Sequence, residues 1–90
     1  MKKFNFLICY EKSHEKRLPK VARVLERTSI RIQKSLFFYP EASKEDISNI
    51  VNDIEEIIKK DSDDVRIYKI DINSSIHFGS AIDLKNPIVV

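Results

Sequence analysis

The chain has 90 residues, a formal net charge of +2, 42% hydrophobic residues and 33% charged residues. This length fits one domain, and the composition excludes a disordered chain. No apolar run approaches the roughly 20 residues of a membrane span, and the first residues lack the cleavage site of a signal peptide, so we expect a cytoplasmic protein. A core this small would gain stability from association with a partner.

The first predicted element is a strand over residues 4–11, FNFLICYE. Every second residue of this run, Phe4, Phe6, Ile8 and Tyr10, falls on one face of the strand. Leu7 and Cys9 make the other face apolar as well, which is typical of a strand inside a sheet. The strand ends at Glu11, so we expect this carboxylate to be held at the rim of a rigid element.

A basic helix is predicted next, beginning between Glu15 and Leu18 because Pro19 is tolerated only in the first turn. Its apolar stripe consists of Leu18, Val21, Ala22 and Leu25. The cations along this part of the chain are Lys12, Lys16, Arg17, Lys20, Arg23 and Arg27. A basic face of this kind suits phosphate groups, although a solvated helix face carries the same residues.

The run over residues 29–39 has strand-forming residues but is long for one strand. We therefore predict a break near Lys34 that divides it into two short strands, and an end at Pro40. A second helix follows, with a capping box at Ser43 to Asp46 and an apolar stripe that predicts an end near Lys59 and Lys60.

The loop after the second helix holds three aspartates, Asp61, Asp63 and Asp64, which could bind a cation or simply be solvated. Residues 64–72 then read as another strand. The resulting order predicts an α+β, ferredoxin-like β-α-β-β-α-β sandwich over residues 1–72. The remaining segment, 73–90, ends in the apolar stretch 86–90, which we expect to add a strand to the sheet of a partner subunit in a homodimer.

Four short stretches together resemble the CRISPR-associated Cas2 family. They are Cys9-Tyr10-Glu11, the helix segment 20–26, the run Arg31-Ile32-Gln33-Lys34-Ser35-Leu36-Phe37, and 64–68. The resemblance spans about residues 4–72, and it implies a ferredoxin-like homodimer that acts in spacer acquisition. It also implies a central position between integrase (Cas1) dimers, with DNA as the bound nucleic acid and RNA as a possible second substrate.

The resemblance further implies a metal-dependent endonuclease, with one Mg²⁺ or another divalent cation held between the two Glu11 side chains of a dimer. The family normally has aspartate at this position, and the longer glutamate moves the carboxylate. Residues that fall at family positions linked to activity or nucleic-acid contact are Tyr10, Lys20, Arg31 and Phe37. In this hypothesis Glu11, Tyr10, Arg31 and Phe37 form the catalytic set, and Arg31 neutralises charge in the transition state.

Two other functions stay open on the sequence. The first is a non-catalytic DNA-binding adaptor that uses the basic face and cleaves nothing. In that case Glu11 would be a rim charge paired with Lys12 or Arg31. The second is a toxin-like endoribonuclease of the VapD type, which has a similar fold.

Overall fold

The computed structural model describes residues 2–11, 17–74 and 76. The strands and helices within these residues are β1 (Phe4–Glu11), α1 (Leu18–Leu25), β2 (Ile30–Gln33), β3 (Leu36–Ala42), α2 (Lys44–Glu55) and β4 (Asp64–Ile70). A short 3-10 turn at Ile72–Ser74 follows β4. The β-α-β-β-α-β order predicted from the sequence is confirmed, and α1 begins inside the predicted window.

The sheet has four antiparallel strands in the order β2-β3-β1-β4. The most apolar strand, β1, therefore lies inside the sheet, as its two apolar faces predict. Ile8 lies opposite Phe37 of β3 on one side and opposite Ile67 of β4 on the other. Within the described residues, β4 pairs with β1 alone and forms one edge of the sheet.

The core lies between one face of the sheet and the two helices. Ile8 and Tyr10 of β1 are at most 1% exposed, and they pack with the buried stripe of α1. That stripe contains the four residues predicted from the sequence, Leu18, Val21, Ala22 and Leu25. In the part of the chain that the structure describes, neither helix is long and apolar enough to cross a membrane.

The break predicted near Lys34 is confirmed, since β2 and β3 are joined by a turn at residues 34–35. The predicted end at Pro40 is wrong, because β3 continues to Ala42. The register between β1 and β3 shifts here, so Pro40 and Glu41 lie in a bulge that needs no regular ladder bond from proline. The Glu41 amide instead donates to the Asn5 side chain at 3.0 Å, and Glu41 adopts a φ of 49°.

Helix α2 starts as predicted and ends earlier than predicted. The Ser43 hydroxyl accepts from the Asp46 amide at 3.1 Å, and the Asp46 carboxylate accepts from the Ser43 amide at 2.9 Å. The helix ends at Glu55 instead of near residues 59 and 60. The apolar stripe of α2 predicted a longer helix because it continues through Ile57 and Ile58. These two residues lie in the turn after the helix and still pack against the core.

The capping box gives α2 a defined pH dependence. Hydrogen bonds from the Ser43 amide and hydroxyl hold the pKa of Asp46 below its usual value of 3.8. The ionised Asp46 therefore stabilises the fold at pH values above 3.8, and this contribution is lost as the pH falls through the folded-state pKa. In urea unfolding between about pH 5 and about pH 2, Asp46→Asn should lose less stability than the wild type loses.

The matched control is Asp53→Asn, which changes an exposed carboxylate on the same helix. An acid-induced loss of stability as large in Asp46→Asn as in the wild type and the control would contradict the proposed role of the cap.

Candidate functional site

Glu11 is the last residue of β1, and its side chain is exposed. It lies directly opposite Asp64, the first residue of β4. Residues paired in this way share a face of the sheet, so two carboxylates occupy one corner. The sequence pattern counted Asp64 among the loop aspartates and also as the first residue of a strand, and it did not indicate this pairing. An antiparallel pairing of the predicted strands 4–11 and 64–72 would have indicated it.

The carboxylate of Asp64 accepts a hydrogen bond from Nε of Arg66 at 2.8 Å. Hydrogen bonds to Tyr68 and Asp64 raise the pKa of Arg66, which keeps its positive charge beside the acidic corner. This cation offsets the repulsion between Asp64 and Glu11. Among the residues that the structure describes, no group of three His, Cys, Asp or Glu side chains is placed to hold a metal ion. A metal at Glu11 therefore needs ligands from outside this set.

A buried carboxylate, Asp63, lies behind this corner. The side chain of Asp63 is 0% exposed and accepts two hydrogen bonds from Arg17, from Nε at 2.5 Å and from Nη2 at 2.9 Å. It also accepts from the Tyr10 hydroxyl at 3.1 Å and from the Lys59 amide at 3.2 Å. The expectation that Asp63 belongs to a cation-binding or solvated loop cluster is wrong, because Arg17 neutralises it inside the fold.

This Arg17–Asp63–Tyr10 network joins the segment before β4 to the end of β1 and the start of α1, both of which are distant from it in sequence. Tyr10 directly precedes Glu11 in β1, Arg17 directly precedes α1, and Asp63 directly precedes β4. Burial, followed by the hydrogen bond to Asp63, raises the pKa of Tyr10, so the hydroxyl stays protonated and donates. The hydrogen bond to Asp63 raises the pKa of Arg17. The network thus fixes the end of β1 relative to α1 and β4.

The hairpin between β2 and β3 lies at the same end of the sheet. The Tyr10 amide donates to the Ser35 carbonyl in the hairpin turn at 2.9 Å. Nε and Nη2 of Arg31 donate to the Lys34 carbonyl at 2.9 and 2.6 Å, and its guanidinium lies 5.6 Å from the centre of the Phe37 ring. The structure therefore brings Glu11, Asp64 and the hairpin turn together at one end.

The predicted catalytic residues differ in exposure. Glu11 and Arg31 are exposed, whereas Tyr10 is 1% exposed and Phe37 is 0% exposed. A catalytic role for any of these residues stays a prediction. The burial of Tyr10 and Phe37 favours a positioning role, because their side chains contact other parts of the fold and not solvent.

Four residues of the predicted basic face are described by the structure: Arg17, Lys20, Arg23 and Arg27. Lys20, Arg23 and Arg27 are exposed at a spacing that places them on one side of α1 and the turn after it. Arg17 differs from them because its guanidinium is bound to Asp63. Lys12 and Lys16 lie outside the described residues.

The network makes a graded stability prediction. Tyr10→Phe removes one hydrogen bond to Asp63 and should lower the free energy of unfolding by about 1 kcal/mol. Asp63→Ala should lower it by more, because the Arg17 guanidinium loses its carboxylate partner and the Tyr10 hydroxyl loses its acceptor. Urea unfolding monitored by circular dichroism measures both changes.

Asp61→Ala is the control, because it changes an exposed aspartate of the same loop. Equal stability of Asp63→Ala and Asp61→Ala would show that the network does not support the fold.

The sequence matches the family model for CRISPR associated protein Cas2 over residues 4–75. A comparison with curated proteins finds no match. Three solved structures with similar folds show between 19% and 24% sequence identity to this chain.

The first is a hypothetical protein from Thermus thermophilus, with a TM-score of 0.80, 19% identity, and coverage of 88% of this chain and 94% of that chain. The second is Cas2 of Streptococcus pyogenes, with a TM-score of 0.72 and 24% identity. The match covers 83% of this chain and 99% of that chain. The third is a chain of a partial Cas6-RT-Cas1–Cas2 complex, with a TM-score of 0.69 and 24% identity. The match covers 97% of this chain and 98% of that chain.

At these identities the structural similarities establish the fold alone. The family match does more, because it includes all four strands and both helices. It also includes Glu11, the hairpin with Arg31 and the residues of the Arg17–Asp63–Tyr10 network. The chain belongs to the CRISPR-associated Cas2 family.

Proposed function

We propose that the protein acts in CRISPR spacer acquisition as a homodimer that binds DNA at the centre of a complex with Cas1. The observation that carries this proposal is the Cas2 family match over residues 4–75. A similar chain occurs in a partial Cas6-RT-Cas1–Cas2 complex, which supports Cas1 as the partner. The family match favours this role over that of a VapD-type toxin. We expect the protein to work in the cytoplasm.

The face of the sheet opposite the core supports dimerisation. Leu7 lies on this face, opposite Tyr68, whose side chain is 47% exposed. Glu11 shares the face with Leu7, so two copies packed through it could bring their Glu11 carboxylates together. The segment 73–90, of which residues 75 and 77–90 lie outside the described residues, would add to the edge of the partner's sheet at β4.

The exposed cations on α1 and in the turn after it support DNA binding. Lys20, Arg23 and Arg27 place three positive charges on one side of the molecule. Contacts from such side chains to phosphates position a protein on DNA and do not read the base sequence. Contacts of this kind bind the phosphate backbone independently of sequence and weaken with salt. Arg17 takes a different part in the proposal, because its guanidinium is bound to Asp63.

A finer proposal is that the dimer also cleaves RNA or DNA with Mg²⁺. The exposed carboxylate of Glu11 is the type of oxygen ligand that Mg²⁺ prefers, and Asp64 lies next to it on the same face. The ion would supply a nucleophilic water and Lewis-acid stabilisation when bound. The chain itself would hold Glu11 in place through Tyr10, and Arg31 at the hairpin would meet the phosphate.

The non-catalytic adaptor remains the second candidate, and the geometry of Arg31 favours it. The guanidinium of Arg31 already donates twice to the Lys34 carbonyl and lies 3.4 Å from a carboxylate oxygen of Glu26. It would have to give up these contacts, at least in part, to stabilise a transition state. The adaptor needs only the cations of α1 and the dimer.

The two candidates differ in what Glu11→Gln does. If the protein is a metal-dependent nuclease, the variant loses cleavage and metal binding, because the charge of each Glu11 carboxylate is removed. Isothermal titration of the wild type with Mg²⁺ should give one ion per two chains, and a chelator should abolish cleavage.

Glu55→Gln is the control, since it neutralises an exposed glutamate on α2. Cleavage by Glu11→Gln at the wild-type rate, or cleavage that persists with chelator, would overturn the metal mechanism. No cleavage by the wild type in the presence of Mg²⁺ would leave the adaptor.

The DNA-binding proposal predicts a change in salt dependence. Replacement of Lys20, Arg23 and Arg27 by Gln should weaken binding to duplex DNA. It should also reduce the slope of log K against log salt by about one unit for each phosphate that the variant no longer binds. Fluorescence anisotropy between about 50 and 200 mM salt measures both effects.

The control removes an equal charge elsewhere, with Lys44, Lys59 and Lys60 changed to Gln. These lysines are exposed, Lys44 at the start of α2 and the other two beyond its end. An equal loss of affinity in the two triple variants would show that net charge, and not the face of α1, determines binding.

A further inference from the structure

A groove of about 880 Å³ lies between the first residues of β1 and the N-terminal half of α2. Glu11 ends β1, so the groove lies at the other end of that strand from the candidate site. Phe4 and Phe6 of β1 and Ile47 of α2 supply an apolar lining. These three side chains are half-buried, which leaves apolar surface available to a ligand.

Three exposed lysines also line this groove: Lys2 before β1, Lys44 at the start of α2 and Lys69 near the end of β4. The Lys69 ammonium lies 4.3 Å from the centre of the Phe4 ring, so this aromatic ring and this positive charge form one surface. Among the described residues that line the groove, Glu45 is the one acidic residue, so their net charge is positive.

The α2 N-terminus does not create an anion site here. The side chains of Ser43 and Asp46 already pair with backbone amides at this end of the helix. The carboxylates of Glu45 and Asp46 lie in the first turn and would repel a doubly charged phosphate. Duplex DNA also makes little use of an apolar concave lining, because its outer surface is charged phosphate. A ligand that combines an apolar group with singly charged carboxylates fits the groove better.

We propose that this groove docks an acidic segment of a partner protein, with an aliphatic or aromatic side chain of that segment anchored against Phe4, Phe6 and Ile47. Carboxylates that flank the anchor pair with the lysines around it. Apolar contact supplies affinity in this arrangement, and charge complementarity supplies specificity. The surface is separate from Glu11 and from the cations of α1, so this proposal does not depend on the proposed function.

The test uses a capped six-residue peptide with Leu-Phe at its centre and two acidic residues on each side. The wild-type chain is titrated and followed by NMR of its backbone amides. The peptide should shift the amides of Phe4, Lys44 and Lys69, and a peptide with lysines in place of the acids should not. The double variant Lys2→Glu, Lys44→Glu should weaken binding by about tenfold or more, because like charges then face each other.

The matched control is Lys59→Glu, Lys60→Glu, which reverses two exposed lysines beyond the other end of α2. Its affinity should stay near that of the wild type. No shift at the groove, or equal weakening in the two double variants, would overturn the proposal. A duplex oligonucleotide that shifts the groove amides in place of the acidic peptide would also overturn it, and would assign the groove to nucleic acid.

Discussion

The fold depends on one buried carboxylate. Asp63 lies in the connection between α2 and β4 with no exposed side-chain surface, and a charge in that position requires a partner inside the protein. Arg17 supplies the opposite charge through two hydrogen bonds, and the Tyr10 hydroxyl and the Lys59 amide occupy further acceptor positions of the carboxylate. Moving any of these segments would leave a polar group buried without its partner.

This constraint gives the candidate site at one end of the sheet a fixed geometry. Tyr10 is held by its side chain at Asp63 and by its amide at the Ser35 carbonyl, and Glu11 follows it directly. Asp64, the neighbour of Asp63, lies opposite Glu11. The same network therefore positions both carboxylates of the corner. The network also distinguishes Arg17 from the other cations. Arg17 is bound to Asp63, whereas Lys20 and Arg23 are exposed on α1.

Sequence patterns predicted the elements whose signals are local. Period-two alternation identified β1, the stripe from Leu18 to Leu25 identified α1, and the Ser43 to Asp46 capping box identified the start of α2. The errors occurred where distant residues decide the outcome. Pro40 stays within β3 because of a bulge in its pairing with β1, and α2 ends at Glu55 although apolar residues continue beyond it.

The candidate site shows the same division. The position of Glu11 at the end of β1 follows from the strand pattern. The pairing of Glu11 with Asp64 and the burial of Asp63 depend on contacts between residues that are 46 to 53 positions apart. An aspartate in a run of acidic loop residues carries no local signal that it will be buried. The resemblance to the Cas2 family predicted a role in activity for Tyr10, and this stays a prediction. The structure places Tyr10 and Arg17 in a common network around Asp63.

The central claim is that Asp63 holds the end of β1 in place. Amide hydrogen exchange of the Asp63→Asn variant, followed by NMR, tests it most directly, because this variant keeps the shape of the side chain and removes its charge. The account predicts faster exchange at the Tyr10 amide, which bonds to Ser35, with little change at Ile8 in the middle of the strand. Unchanged exchange at Tyr10, or an equal increase along the whole of β1, would contradict it.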